Sequence, residues 1–183
     1  MRRILDRLYD AALALAALTF AMIALLVLVQ IAGRLIDRAA RAIGAPPPGL
    51  TVPSLAEIGA FLFIGAVFLG LAGTLRAGGH VRVTLLTRAL APGAARLLGL
   101  AVTLGAAGLT GFATWSSAEQ TLDSWRFGSV SYGMVKVPLW LPQGVMTLGL
   151  ALLGVALLDA MAALARGQTP AHELAEAERG EHG

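Results

Sequence analysis

The residue types that most often carry chemistry are sparse in this sequence. It has no cysteine, and of its three histidines His172 and His182 lie in the polar C-terminal tail, while His80 follows two glycines in mid-chain. Without cysteine there can be no disulfide, thiolate metal site or thiol nucleophile. No pair of ionisable residues has the spacing of metal ligands or of a catalytic triad. The sequence therefore predicts no catalytic site, metal or cofactor in this chain.

The elements that would position any functional residue are strongly apolar. Hydrophobic residues make up 57% of the 183 residues, charged residues make up 14%, and the mean hydropathy is +0.75. Because a soluble domain carries about 25% charged residues, this apolar excess requires lipid as a second solvent. The net charge of +3 is small and there is no polybasic run, so the sequence does not support nucleic-acid binding.

Four uncharged stretches are long enough to cross a bilayer. A helix rises about 1.5 Å per residue, so about 20 residues cross a hydrocarbon core of about 30 Å. We therefore predict an all-α integral membrane protein with four transmembrane helices in one domain, residues 1–165. The predicted spans cover residues 11–33, 57–76, 96–118 and 139–160. We expect the polar, glutamate-rich residues 166–183 to be disordered.

The first span follows several arginines, as the apolar core of a cleaved signal peptide does. Its apolar run is longer than the roughly 7–15 residues of such a peptide, which favours an uncleaved span. Nine of the 14 Lys and Arg residues lie in the N-terminus, the second loop and the C-terminal tail, and five lie in the other two loops. Since cytoplasmic loops are enriched in Lys and Arg, both termini are predicted to be cytoplasmic. Residues 81–90 in the second loop mix apolar and basic residues and predict a short interfacial helix.

The predicted spans contain almost no ionisable residue. Glu57, Arg76, Arg96 and Asp159 lie at span ends, and Gln30 lies near the end of the first span. Transport pathways usually place charged groups near the bilayer midplane. A stand-alone channel would need a polar lining, and a membrane enzyme or redox anchor would need ionisable ligands within the spans. The sequence favours an accessory subunit, with a channel or an anchor subunit of another complex as the alternatives.

Several residues near span ends have two interpretations. Ser54 and Glu57 have the spacing of a capping box, in which both side chains bind amide groups at a helix N-terminus; Glu57 could instead pair with an arginine of a partner. Arg34 either faces a partner or snorkels to the interface. His80 is either a loop residue or a ligand, and Trp140 is typical of an interfacial anchor.

Small residues are frequent in the second and third predicted spans. Gly65 and Gly70 belong to the second span, and Gly105, Gly108 and Gly111 are spaced three apart in the third. In lipid, small residues allow helix backbones to approach closely. We therefore interpret the third-span stripe as a helix-packing face.

Motifs in three regions are shared with one family of membrane proteins. The loop after the second span has a basic residue, then Gly-Gly-His, a branched residue, Arg, Val and two leucines, and the fourth span opens with Pro-Leu-Trp. With Val29 and Gln30 near the end of the first span, these motifs resemble the small permease subunit of tripartite ATP-independent periplasmic (TRAP) transporters. The sequence departs from the family where Thr84 replaces an acidic residue and Leu55 replaces a tryptophan.

The resemblance covers about residues 8–160 and implies a division of labour. In this family a periplasmic binding protein captures a small organic acid, and a large multi-span permease subunit carries the substrate and sodium sites. The small subunit implied here scaffolds the large subunit in the bacterial inner membrane, helps to dock the binding protein for symport, and uses no ATP. The candidate interface or structural residues are Arg34, Glu57, Gly65, Gly70, Arg76, Gly79, His80, Arg82 and Trp140.

Overall fold

The computed structural model describes residues 2–77 and 90–168, which form helices joined by loops. The helices are α1 (Arg2–Ala42), α2 (Leu55–Arg76), α3 (Pro92–Arg126) and α4 (Trp140–Ala165). Each contains a stretch long and apolar enough to cross a membrane. The predicted all-α class with four membrane-spanning helices is confirmed. The predicted interfacial helix and most of the polar tail lie outside the described residues.

Two of the helices are much longer than a bilayer requires. The 41 residues of α1 extend over about 60 Å, roughly twice the ~30 Å thickness of the hydrocarbon core. The chain leaves this helix at Gly44, whose φ of 74° suits glycine, and the three prolines that follow cannot continue a helix. The other long helix, α3, begins with Pro92, whose missing N–H costs nothing in the first turn of a helix.

The four helices form a row whose spatial order differs from the chain order. α1 packs against α2, α2 against α4, and α4 against α3. The central helices α2 and α4 are parallel, because Gly65 faces Val145 and the Phe68 backbone faces Gly149. A buried cluster where α1, α2 and α4 meet is made of Tyr9, Ala12, Ala72, Leu152 and Ala156.

Small residues allow the close approach of α2 and α4. A Cβ atom added to Gly149 would overlap the backbone carbonyl of Phe68, and one added to Gly65 would lie 3.4 Å from Val145 Cγ1. Gly65 of α2 and Gly149 of α4 are therefore used for packing inside the subunit. The predicted packing face of α3 differs: added Cβ atoms at its three evenly spaced glycines meet no described residue within 4 Å, so that stripe is not packed within this part of the chain.

The row has two distinct ends. Residues 43–54 (loop 1) and residues 127–139 (loop 3) lie at one end, which we call the loop end. The beginning of α1 and the end of α4 lie at the opposite end, which we call the terminal end, where Asp6 contacts Arg76 and Arg96 contacts Leu164. The contacts of charged side chains in the described residues lie at these two ends.

Candidate functional site

Glu57 and Ser54 bind loop 3 to the beginning of α2. The Gly133 amide donates a hydrogen bond to Glu57 Oε1 at 3.2 Å, and the Val135 amide donates to Ser54 Oγ at 3.0 Å. Both donors lie more than 70 positions away in the sequence, on either side of Met134. This contact joins α2 to the connection between α3 and α4.

The predicted capping box at Ser54 and Glu57 is wrong. Ser54 adopts a left-handed conformation, with φ of 54° and ψ of 27°, and its hydroxyl caps no amide of α2. A capping residue normally has an extended backbone that directs its oxygen toward the first turn. In this geometry the Ser54 and Glu57 oxygens instead accept hydrogen bonds from loop 3.

The Glu57 carboxylate is tightly enclosed. A Cβ atom added to Gly133 would overlap Glu57 Oε2 and lie 2.7 Å from Ser54 Oγ, so both side chains would have to move to admit it. Glu57 Oε2 is buried and has no hydrogen-bond partner among the described residues. The positive end of the α2 dipole, where the carboxylate lies in the first turn, stabilises its charge.

Loop 3 is an ordered turn with its own hydrogen bonds. The Ser131 amide donates to Val137 O at 2.9 Å, and the Ser131 hydroxyl donates to Val135 O and accepts from the Val137 amide, both at 3.1 Å. Ser131 is only 2% exposed. At the base of the loop the rings of Trp125 and Trp140 meet edge to face, with centroids 4.7 Å apart. Trp140, predicted as an interfacial anchor, therefore helps to close this loop.

Loop 1 is held along one face of α1. Gln30 Oε1 accepts a hydrogen bond from the Val52 amide at 2.6 Å, and Asp37 Oδ1 accepts one from the Gly49 amide at 2.9 Å. Between them, the Gly33 backbone touches Leu50 so closely that a Cβ atom would overlap it. Sequence reasoning missed this site, although residues spaced by three or four positions share a helix face.

At the terminal end, Arg76 joins the end of α2 to the beginning of α1. Its guanidinium lies 3.2 Å from Asp6 and 3.8 Å from Asp10. Because both acids are partly or largely exposed, each pair is worth at most about 1 kcal/mol. The nearby Tyr9 is 4% exposed, and its hydroxyl has no hydrogen-bond partner among the described residues.

Arg96 closes the end of α4. Its Nε donates to Leu164 O at 3.0 Å, and its Nη2 donates to Ala165 O at 2.7 Å. The last carbonyls of a helix have no hydrogen-bond donor within the helix and carry partial negative charge. A guanidinium supplies both the donors and the positive charge. The sequence placed Arg96 at a span end without indicating this role, because its partners are backbone atoms of a different helix.

Three hydroxyl side chains join α3 and α4 in the parts of these helices nearest loop 3. Thr147 Oγ1 lies 2.6 Å from Ser117 Oγ and 3.2 Å from Thr121 Oγ1, and it donates to Gln143 O at 2.9 Å. Such bonds between membrane helices contribute about 0.6–2 kcal/mol each. The repeated four-residue spacing, Ser117 with Thr121 and Gln143 with Thr147, was a signal that sequence reasoning did not use.

The other predicted site residues are not brought to one place. Arg34 is exposed on α1. A Cβ atom added to Gly70 would lie 4.0 Å from Ala16 Cβ, at ordinary contact distance from α1. Gly79, His80 and Arg82 lie outside the described residues. Within residues 2–77 and 90–168, no group of three His, Asp or Glu side chains could hold a metal ion.

A known family matches this chain over most of its length. The profile of the family described as "Tripartite ATP-independent periplasmic transporters, DctQ component" matches residues 23–167. The chain belongs to this family. The resemblance of the sequence motifs to TRAP transporters is thereby confirmed. This DctQ component is a small transporter subunit whose four helices can each cross a membrane. Neither a curated protein nor a solved structure matches the chain significantly.

Proposed function

We propose that this DctQ component is the scaffold subunit of a sodium-driven TRAP transporter in the bacterial inner membrane. It holds the large multi-span permease subunit in position and helps to dock a periplasmic binding protein that delivers a small organic acid. The match of the family over residues 23–167 is the observation that supports this proposal most strongly. Sodium and substrate bind to the large subunit.

The distribution of polar groups supports a scaffold role. Among the described residues, Glu57, Arg76 and Arg96 contact their partners at the two ends of the row. The hydroxyl groups between α3 and α4 bind one another and the backbone rather than lining an open path. A substrate or ion pathway needs polar groups that are free to bind it near the midplane.

The proposed orientation places the terminal end in the cytoplasm and loops 1 and 3 in the periplasm. The excess of Lys and Arg in the N-terminus, the second loop and the C-terminal tail supports it. We expect a reporter enzyme that is active only in the periplasm to be inactive when fused after Gly183 and active when inserted in loop 1 after Gly44. The opposite pattern would reverse the orientation.

Reconstitution tests the scaffold function. Liposomes containing the large permease subunit and this chain, with the binding protein outside, should accumulate the radiolabelled organic acid that the binding protein binds when an inward sodium gradient is applied. Omitting this chain should reduce uptake at least about tenfold, since a missing scaffold removes the assembled complex. Uptake at the full rate by the large subunit alone would contradict the proposal. Ion conductance from this chain alone would favour a channel instead.

A further inference from the structure

The outer side of loop 3 carries large apolar side chains that the rest of the chain does not cover. Tyr132 is 98% exposed, Met134 is 85% exposed and Phe127 is 81% exposed. Single exposed apolar residues are common on protein surfaces. Here three exposed apolar side chains lie within eight positions of the sequence, all in loop 3 at the loop end. Their environment therefore needs an explanation.

Their exposure does not result from a loose chain. The turn is closed by the bonds between Ser131 and residues Val135 and Val137, and by the backbone bond from Leu139 to Ser129 O at 3.0 Å. The amides on both sides of Met134 are bound to Ser54 and Glu57. The loop thus holds Tyr132 and Met134 outward on a rigid support.

The contact with α2 also determines the depth of Met134 in the membrane. Glu57 is the last charged residue before an uncharged run that continues to Arg76. That run extends over about 27 Å as a helix, close to the ~30 Å thickness of the hydrocarbon core. Glu57 therefore lies at the hydrocarbon boundary. Met134, between the two residues bound there, lies at the depth of the lipid headgroups.

The side chains around Met134 have the chemistry of that layer. Tyrosine and tryptophan are enriched at the interface because an apolar ring and a polar tip match its two sides, and Trp125 is exposed beside the loop. Lys136, two positions after Met134, is exposed and can extend its ammonium group to a lipid phosphate. The exposed Glu119 and Asp123 flank Thr121, which packs against Gly144 and Thr147 of α4, so these acids lie at the level of α4 and not around Met134. The surface around Met134 suits a headgroup layer.

We propose that loop 3 is an interfacial membrane anchor, in which Tyr132 and Met134 insert into the phospholipid headgroup layer at the loop end and Lys136 contacts lipid phosphates. The anchor sets the height of α2 and α4 in the bilayer, since loop 3 is bonded to the beginning of α2 and leads into α4. It is independent of the proposed transport function, because it requires only this chain and lipid.

The absence of cysteine in the sequence makes the test direct. Single-cysteine variants Tyr132→Cys and Met134→Cys of the full chain carry a nitroxide label in liposomes of phosphatidylethanolamine and phosphatidylglycerol. Power-saturation electron paramagnetic resonance then compares collisions with oxygen, which concentrates in lipid, and with a nickel chelate, which stays in water. Leu109→Cys, 73% exposed on α3, is the reference for hydrocarbon.

Ile43→Cys is the matched control for water. Ile43 is 82% exposed at the same end, but it lies beyond Arg34 by about 14 Å of helix. We expect oxygen-to-nickel collision ratios at positions 132 and 134 severalfold higher than at 43 and lower than at 109. Ratios equal to that at position 43 would overturn the anchor. It would also be overturned if these labels were shielded only after the large subunit or the binding protein was added, since loop 3 would then be a protein-docking surface.

Discussion

Gly149→Ala should destabilise this subunit by about 1–3 kcal/mol, the range for an added methyl group in a tightly packed core. The added Cβ would overlap the Phe68 backbone, which cannot rotate away as a flexible side chain can. Alanine is favoured over glycine within a helix by about 1 kcal/mol, so a net loss of stability would show that packing dominates. The measurement is the melting temperature and the yield of monodisperse protein in detergent.

Gly105→Ala is the matched control for Gly149→Ala. It makes the same chemical change within a membrane-spanning helix, but the described residues leave open space around it. Its melting temperature should be equal to that of the unchanged protein or slightly higher. Equal melting temperatures for the two variants would contradict the close contact between α2 and α4. A loss of large-subunit binding by Gly105→Ala alone would instead indicate that the α3 stripe faces a partner.

Glu57→Ala should release loop 3 from α2. A hydrogen bond to a charged group contributes about 1.5–3 kcal/mol, and each 1.4 kcal/mol corresponds to about a tenfold change in an equilibrium constant. We therefore expect the Gly133 amide to exchange with deuterium at least about tenfold faster, with a smaller increase at Val135, which remains bonded to Ser54. The measurement is hydrogen exchange of the full chain in detergent or nanodiscs.

Three further variants separate the causes of such a change. Ser54→Ala should accelerate exchange mainly at Val135, and Glu57→Gln should have a weaker effect than Glu57→Ala because its amide oxygen still accepts a hydrogen bond. Glu119→Ala removes an exposed acid at the same end and should leave loop 3 unchanged. Unchanged exchange in Glu57→Ala would show that the bond to Glu57 does not hold loop 3 and that its other contacts are sufficient.

These contacts support the scaffold role proposed for this subunit. Loop 1 is bonded to α1, loop 3 is bonded to α2, and Arg96 binds the end of α4. The beginning of α2 and the end of α4 are thereby each held by a segment distant in sequence, and α1 is held by the loop that follows it. A scaffold built in this way can keep its shape while a neighbouring subunit moves.

The sequence was sufficient for the membrane class and the number of spans. Uncharged runs of about 20 residues have few alternatives to membrane-spanning helices, because a backbone in lipid must satisfy its own hydrogen bonds. The motifs around Gly79, His80 and Trp140 also indicated the TRAP family that the match over residues 23–167 confirms. Both inferences depend on local patterns, which can be read without knowing which helices touch.

The tertiary structure decided which residues are partners. Local spacing suggested that Ser54 and Glu57 cap their own helix, but both accept hydrogen bonds from residues 133 and 135. Gly149 is one small residue among many in the sequence, and only the parallel packing of α2 on α4 makes its missing side chain necessary. In lipid, burial of apolar residues from water does not determine which helices pack together, because the lipid is also apolar. The order of the row therefore depends on close contacts and on a few polar bonds between segments far apart in the chain.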